Sequence, residues 1–134
     1  MNEEEAVALD PAWLEEETAR QQEEAKRRIA LYRGGRTPLA PTAKTVGLVD
    51  DGIATGLTMR LAVRSAKARG ATKIIVAVPV APEDSVTTLK ADGANEVIVI
   101  ESPKNFLGAV GAHYVRFEQV SDAEVVRLLE YSQV

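Results

Sequence analysis

Val46-Gly-Leu-Val-Asp-Asp-Gly-Ile-Ala-Thr-Gly-Leu-Thr58 is the stretch that decides the fold. Its apolar start runs straight into two adjacent carboxylates, Asp50 and Asp51, and then into a small-residue loop, Gly52 to Gly56. A helical pattern follows, with threonines at 55 and 58. A buried parallel strand would deliver the acids to its C-terminal edge, where open α/β sheets bind ligands. The loop would lead into a helix N-terminus, where unpaired backbone N–H groups and the helix dipole favour an anion. Glycine lets the backbone approach that anion closely, and hydroxyls at 55 and 58 add donors. A sugar phosphate satisfies both halves, with its diol on the carboxylates and its phosphate in the loop.

The same residues resemble the phosphoribosyl-pyrophosphate motif of type I phosphoribosyltransferases: four apolar residues, two acids, and a loop ending Thr-Gly-x-Thr. The resemblance runs through the helix 57–70, the strand Lys73 to Val78 and the segment Phe106 to Glu118, and covers roughly residues 30–134. It is closest to stand-alone bacterial members of undefined base specificity, which carry an element like Tyr32-Arg-Gly-Gly-Arg36. The resemblance implies that Asp50 and Asp51 bind the ribose 2′ and 3′ hydroxyls. It assigns the 5′-phosphate to the loop, through Gly52, Ala54, Thr55, Gly56, Leu57 and Thr58. It implies transferase chemistry at the anomeric carbon, with Mg²⁺ carried by pyrophosphate and ribose hydroxyls rather than by a protein cage. Phe106, Tyr114 and Phe117 follow the last strand, where the family places residues that flank the base.

Other readings of the motif weigh less. A paired Asp at a strand end can simply cap a turn, but the spacing of Gly52, Thr55, Gly56 and Thr58 favours a site. A receiver domain needs an acid at the end of a later strand, and Lys73 to Val80 ends in prolines. A Walker loop needs a Gly-Lys-Ser/Thr triplet that is missing here. One departure concerns mechanism. The 6-oxopurine enzymes carry an Asp two residues before the loop glycine; here that place is Ala54. The loop supplies no general base, no catalytic residue is assigned, and a hypoxanthine or guanine acceptor is disfavoured. Adenine-, orotate- and uracil-type members also lack that Asp.

Composition bounds the rest. A chain of 134 residues, 46% apolar, with 27% charged residues and a net charge of −4, suits one soluble domain without a nucleic-acid footprint. The absence of cysteine excludes thiol redox chemistry and thiolate metal sites. No run of 18 apolar residues occurs, and the start is acidic rather than signal-like, so the expectation is cytoplasmic, without membrane partners.

Charge divides the chain near residue 36. Acids dominate up to residue 24 (Glu3, Glu4, Glu5, Asp10, Glu15, Glu16, Glu17, Glu23, Glu24, against Arg20), then bases (Lys26, Arg27, Arg28, Arg33, Arg36). Asp10-Pro11 reads as a helix start and Gly34-Gly35 as its stop. The expected helix spans about 11–33, with i, i+4 pairs Glu16–Arg20, Glu23–Arg27 and Glu24–Arg28. Its apolar stripe (Leu14, Ala25, Ile29, Tyr32) is narrow. Beyond a loop come a strand at 45–49, a helix at 57–69, a strand at 73–80, a helix at 82–91, a strand at 95–100 and a capped helix from Ser121 to about 131. The expected domains are 1–36, an acidic-to-basic helix, and 37–134, a βαβαβ half-domain.

The fold class is therefore α/β: a three-layer, mostly parallel, Rossmann-like sheet of about three strands with a long N-terminal helix. The resemblance implies further strands and a pyrophosphate loop that residues 1–44 do not supply, so the chain looks like the C-terminal half of such an enzyme. A homo-oligomer or a complementing N-terminal half is expected, because Thr45 to Val49 would otherwise be an open edge. His113, the single histidine, reads as a loop residue, and Arg33 and Arg36 as solvated. The leading function is phosphoribosyl transfer in the complete protein. A non-catalytic sugar-phosphate or nucleotide module is the alternative, and an inactive structural fragment the third reading.

Overall fold

The computed structural model describes residues 10–38 and 40–131. The chain forms two units, residues 39–117 and a second made of residues 1–38 with 118–134. The 39–117 unit is a βαβαβ run: β1 (Thr45–Val49), α2 (Leu57–Ala68), β2 (Lys73–Val80), α3 (Glu83–Asp92) and β3 (Glu96–Glu101). α1 (Pro11–Arg33) precedes it and α4 (Asp122–Tyr131) follows.

The three strands are parallel, in the order β1-β2-β3. Two crossovers of one hand stepping in the same direction put both helices on one sheet face. The burial agrees. Ile74, Val76 and Val78 of β2 share a core with Met59, Val63 and Ala66 of α2 and with Leu89 of α3, flanked by Val46, Leu48, Val97 and Val99. Val63 and Val76 are fully buried. Burying such a side chain contributes about 1.5–3 kcal/mol. On the opposite face, which carries no helix of this unit, Val49, Ile98 and Ile100 are exposed. β1 pairs with β2 alone among the described residues, so its other edge is open there.

Two local features set the strand bounds. Pro79 lies inside β2, a position that normally disrupts a central strand. Here β1 ends at Val49, opposite Ala77, so Pro79 lies past the end of that ladder. β3 begins at Glu96, one residue later than expected, because the Asn95 carboxamide accepts from the Ile74 N–H at 2.7 Å while Asn95 N–H donates to the Ile74 carbonyl. α2 ends at Ala68 and α3 runs Glu83–Asp92, each a residue off the expectation.

In the other unit, α1 begins as its sequence requires. Asp10 accepts from Ala12 N–H, Pro11 follows, and Gly34 closes the helix in the left-handed region at φ 53°. The expected ion pairs need correction. Glu24–Arg28 forms at i, i+4, but Arg20 pairs with Glu17, Lys26 with Glu23 and Arg27 with Glu24, all at i, i+3. Arg20 and Arg27 each reach both oxygens of the nearer carboxylate, which holds the fork more firmly than a single longer contact. Ala25 and Ile29 of the expected apolar stripe are exposed. Asp122 at the start of α4 accepts from the Tyr32 hydroxyl at 2.6 Å and from Arg27 at 3.0 Å. Those two donors, Tyr32 first, hold its carboxyl below the ordinary value. Ser121 caps α4 through Glu124 N–H, while the Glu124 carboxylate goes to Arg127. No described helix is long and apolar enough to cross a membrane.

Candidate functional site

β1 ends at Val49, and Asp50 and Asp51 follow at its C-terminal edge, both exposed. The Asp50 carboxylate accepts from Asp51 N–H at 3.0 Å, which tightens the turn. The chain then crosses over the end of β2, where Ile53 N–H donates to the Val80 carbonyl at 2.9 Å. Ile53 is buried at 2% exposure and anchors the loop from below.

Gly52 sits flush against its neighbours. A Cβ built there would lie 2.6 Å from Val110 Cγ1 and 2.9 Å from Val80 Cγ1. Gly56 is glycine for another reason. It is the N-cap of α2 in the left-handed region at φ 76°, with open space around it and Ile53 Cγ2 at 3.6 Å. No side chain caps the first turn. The leading N–H groups of α2 therefore have no capping acceptor, the arrangement that favours an anion. Thr55 and Thr58 are exposed beside it.

A cavity of about 180 Å³ lies here, lined by Asp50, Gly52 to Met59 and Val110. It brings together one of the two acids and the whole loop. Its volume is below the ~300–1,000 Å³ of sites for drug-sized ligands. A larger groove, about 460 Å³, flanks β1 and α2 and is lined by residues such as Pro41, Val46, Leu48, Ala62 and Ala66. Size does not make that groove the site, because its lining is mainly apolar and it holds neither the acids nor the helix N-terminus.

Two arginines brace α2. Asp92 of α3, with its side chain 9% exposed, binds Arg60 and Arg64, each at 2.6 Å. Arg60, then Arg64, holds the Asp92 carboxyl below its ordinary value. This staple fixes the first two turns of α2 against α3, directly behind the loop.

Phe106, Tyr114 and Phe117 do not line the cavity; Val110 does. Phe106 stacks on His113 with ring centroids 4.8 Å apart, and His113 Nε2 accepts from Leu107 N–H. Tyr114 packs against Phe117 at 5.1 Å and donates its hydroxyl to the Asp51 carbonyl. The segment after β3 is thus tied together by its own aromatics and fastened to the acid turn. Arg36 spends its guanidinium on the Arg33 and Tyr32 carbonyls at the end of α1. Three lining residues, Ile53, Met59 and Val110, are not among those expected from the sequence, Ile53 because it reads as the apolar member of the loop. Met59 has the helical period of a core position, and Val110 lies in a short 3₁₀ turn, Val110–His113, that carries no period to read. Gly52 reads in the sequence as a phosphate-loop glycine, and its contact with Val110 gives no sequence signal of its own.

Comparison with known proteins agrees with this geometry. The family described as "Phosphoribosyl transferase domain" matches residues 14–115. Two Mycobacterium tuberculosis proteins, from strains H37Rv and CDC 1551 and both named "Putative phosphoribosyl transferase", are 41% identical over 122 residues. That match covers 91% of this chain and 27% of each of theirs, so the chain spans about a quarter of those relatives. The crystal structure of TT1426 from Thermus thermophilus is 40% identical with a TM-score of 0.73, over 90% of this chain and 57% of that one. The motif Val46–Thr58, the parallel sheet that carries it and these matches together show that the chain belongs to the phosphoribosyl transferase domain family.

Proposed function

We propose that residues 50–58 bind the ribose-5-phosphate portion of a phosphoribosyl ligand, and that the complete protein exchanges pyrophosphate for a nitrogenous base at ribose C1. The observation that carries this is the single cavity joining the Asp50 turn to the uncapped N-terminus of α2. Asp50 and Asp51 accept the ribose 2′ and 3′ hydroxyls. The loop amides and the Thr55 and Thr58 hydroxyls hold the 5′-phosphate. Displacement at C1 passes through an oxocarbenium-like state, so the protein's part is positioning and charge stabilisation. Ala54 supplies no base, and these residues account for binding and orientation rather than proton transfer.

Magnesium fits this donor set as a companion of the substrate. Two neighbouring carboxylates are present, and no group of three or more His, Cys, Asp or Glu suited to a metal occurs among the described residues. Such a site suits an ion that keeps waters and takes its other ligands from substrate oxygens. Such an ion would neutralise charge on the pyrophosphate group. Phe106, Tyr114 and Phe117 are proposed to stand on the base side of the site, and the acceptor base is left open. The protein acts in the cytoplasm without nucleic-acid or membrane partners, as a homo-oligomer or with a complementing N-terminal half. All of the proposed site residues lie in the unit of residues 39–117, and the unit of residues 1–38 with 118–134 supplies none of them.

A second reading is a non-catalytic sugar-phosphate module, since the cavity's lining offers a carboxylate and a helix N-terminus but no general base. Calorimetry with ribose 5-phosphate tests what both readings share. The wild type should bind, and Gly56→Val, which puts a branched side chain at φ 76°, should bind much more weakly. Equal binding by both proteins, or none by either at millimolar ligand, would remove the assignment.

A further inference from the structure

We infer that Tyr114 is a positioning residue for the acid pair, acting on the ribose half of the site and not on the phosphate half. Its hydroxyl donates to the backbone carbonyl of Asp51, sixty-three positions earlier in the chain. That carbonyl begins the Asp51–Gly52 peptide, which leads directly into the phosphate loop. Four contacts fix the place from which Tyr114 acts. Its ring packs on Phe117. Gly111 lies so close to Phe117 that an added Cβ would be 2.7 Å from its Cδ1. His113 stacks on Phe106. Val110 rests on Gly52, where a Cβ would be 2.6 Å away. The segment 106–117 therefore grips the acid turn at two consecutive residues, by a hydrogen bond at Asp51 and by an apolar contact at Gly52.

The other end of the motif has separate supports. Ile53 is anchored on Val80, and α2 is stapled to α3 through Asp92. Loss of the Tyr114 hydroxyl thus loosens the carboxylates while leaving the phosphate loop supported. The aromatic ring keeps its packing in Tyr114→Phe, so folding is preserved.

This inference rests on the assignment of Asp50 and Asp51 to the ribose hydroxyls, and its test has two arms that separate the two claims. In the first, wild type and Tyr114→Phe are titrated with ribose 5-phosphate and with inorganic phosphate. Removing one neutral hydrogen bond should weaken ribose 5-phosphate by about two- to tenfold and leave inorganic phosphate unchanged. Where the wild type binds both ligands, equal weakening of both, or of neither, overturns the inference. In the second arm, carbonyl ¹³C resonances are compared without ligand. The Asp51 carbonyl should move upfield in Tyr114→Phe while those of β1 stay in place. A general shift across the sheet, or none at Asp51, overturns the inference even if the wild type binds no ribose 5-phosphate. Failure of wild-type binding with the Asp51 shift present would instead refute the proposed function and leave Tyr114 as the residue that holds the turn.

Discussion

Replacing Gly52 by alanine tests whether the site is built by packing across the end of the sheet. Gly52 is not in the left-handed region, so alanine is conformationally free there and the whole cost is steric. The new Cβ would lie 2.6 and 3.1 Å from the two Val110 methyls and 2.9 Å from Val80 Cγ1. Val80 is 3% exposed in β2 and its residue pairs with Glu101, so it has little room to yield. Val110 sits half-buried on a short 3₁₀ turn and can shift. Overpacking of this kind costs about 1–3 kcal/mol. For a domain of roughly 60–100 residues, each kcal/mol lowers Tm by about 4–8 °C. Urea denaturation of Gly52→Ala, Val110→Ala and the double variant closes a cycle. Since two of the three short contacts belong to Val110, the double variant should recover half or more of the steric loss, a favourable coupling beyond additivity. A Gly52→Ala loss below about 0.5 kcal/mol, the range of ordinary surface changes, would refute the reasoning. So would strict additivity.

Further outcomes follow from the same geometry. Asp50→Asn and Asp51→Asn should each cost a ribose ligand about 1.5–3 kcal/mol in calorimetry and spare inorganic phosphate; equal loss for both would mean that the acids only hold the loop. Asp92 titrates below its ordinary 3.8 because of Arg60 and then Arg64, so its stabilisation is fully present above that value and lost as pH falls through the lower folded one. Glu24, held at about 2 by Arg27 and Arg28, follows the same sign. Tm measured from pH 6 to pH 2 should fall on the acid side, and Asp92→Asn should flatten that fall; an unchanged slope would show that the staple contributes nothing. The open edge of β1 is expected to draw self-association, seen by light scattering, and the 134-residue protein alone should release pyrophosphate far below ~1 s⁻¹. Ordinary turnover from a monomer would contradict both expectations.

Much of the fold was legible because its signals are local. β1 and β2 fall on the expected residues, but only β2 is a buried strand; β1, expected to be buried, has no buried residue because it lies at the edge of the sheet among the described residues. α1 was fixed by Asp10-Pro11 and Gly34. The register of the ion pairs on α1 was not legible, because a guanidinium can reach i−3 or i−4 and rotamers decide between them. The acid pair and the loop could be found from spacing. The roles of Val110 and Tyr114 could not, since both arise from contacts across the end of the sheet between segments far apart in the chain. The glycines illustrate the same divide: 56 is explained by its own backbone angle, whereas 52 is explained only by side chains from Val80 and Val110.

Amide chemical-shift mapping during a ribose 5-phosphate titration tests the central claim most directly. Saturable shifts should be confined to the amides of residues 50–59 and of Val110, which lines the same cavity, and be largest at Thr55 to Thr58. Shifts clustered instead in the groove of Val46, Leu48, Ala62 and Ala66, or in the cleft between Lys67 and Lys90, would contradict it. So would a spectrum unchanged at millimolar ligand.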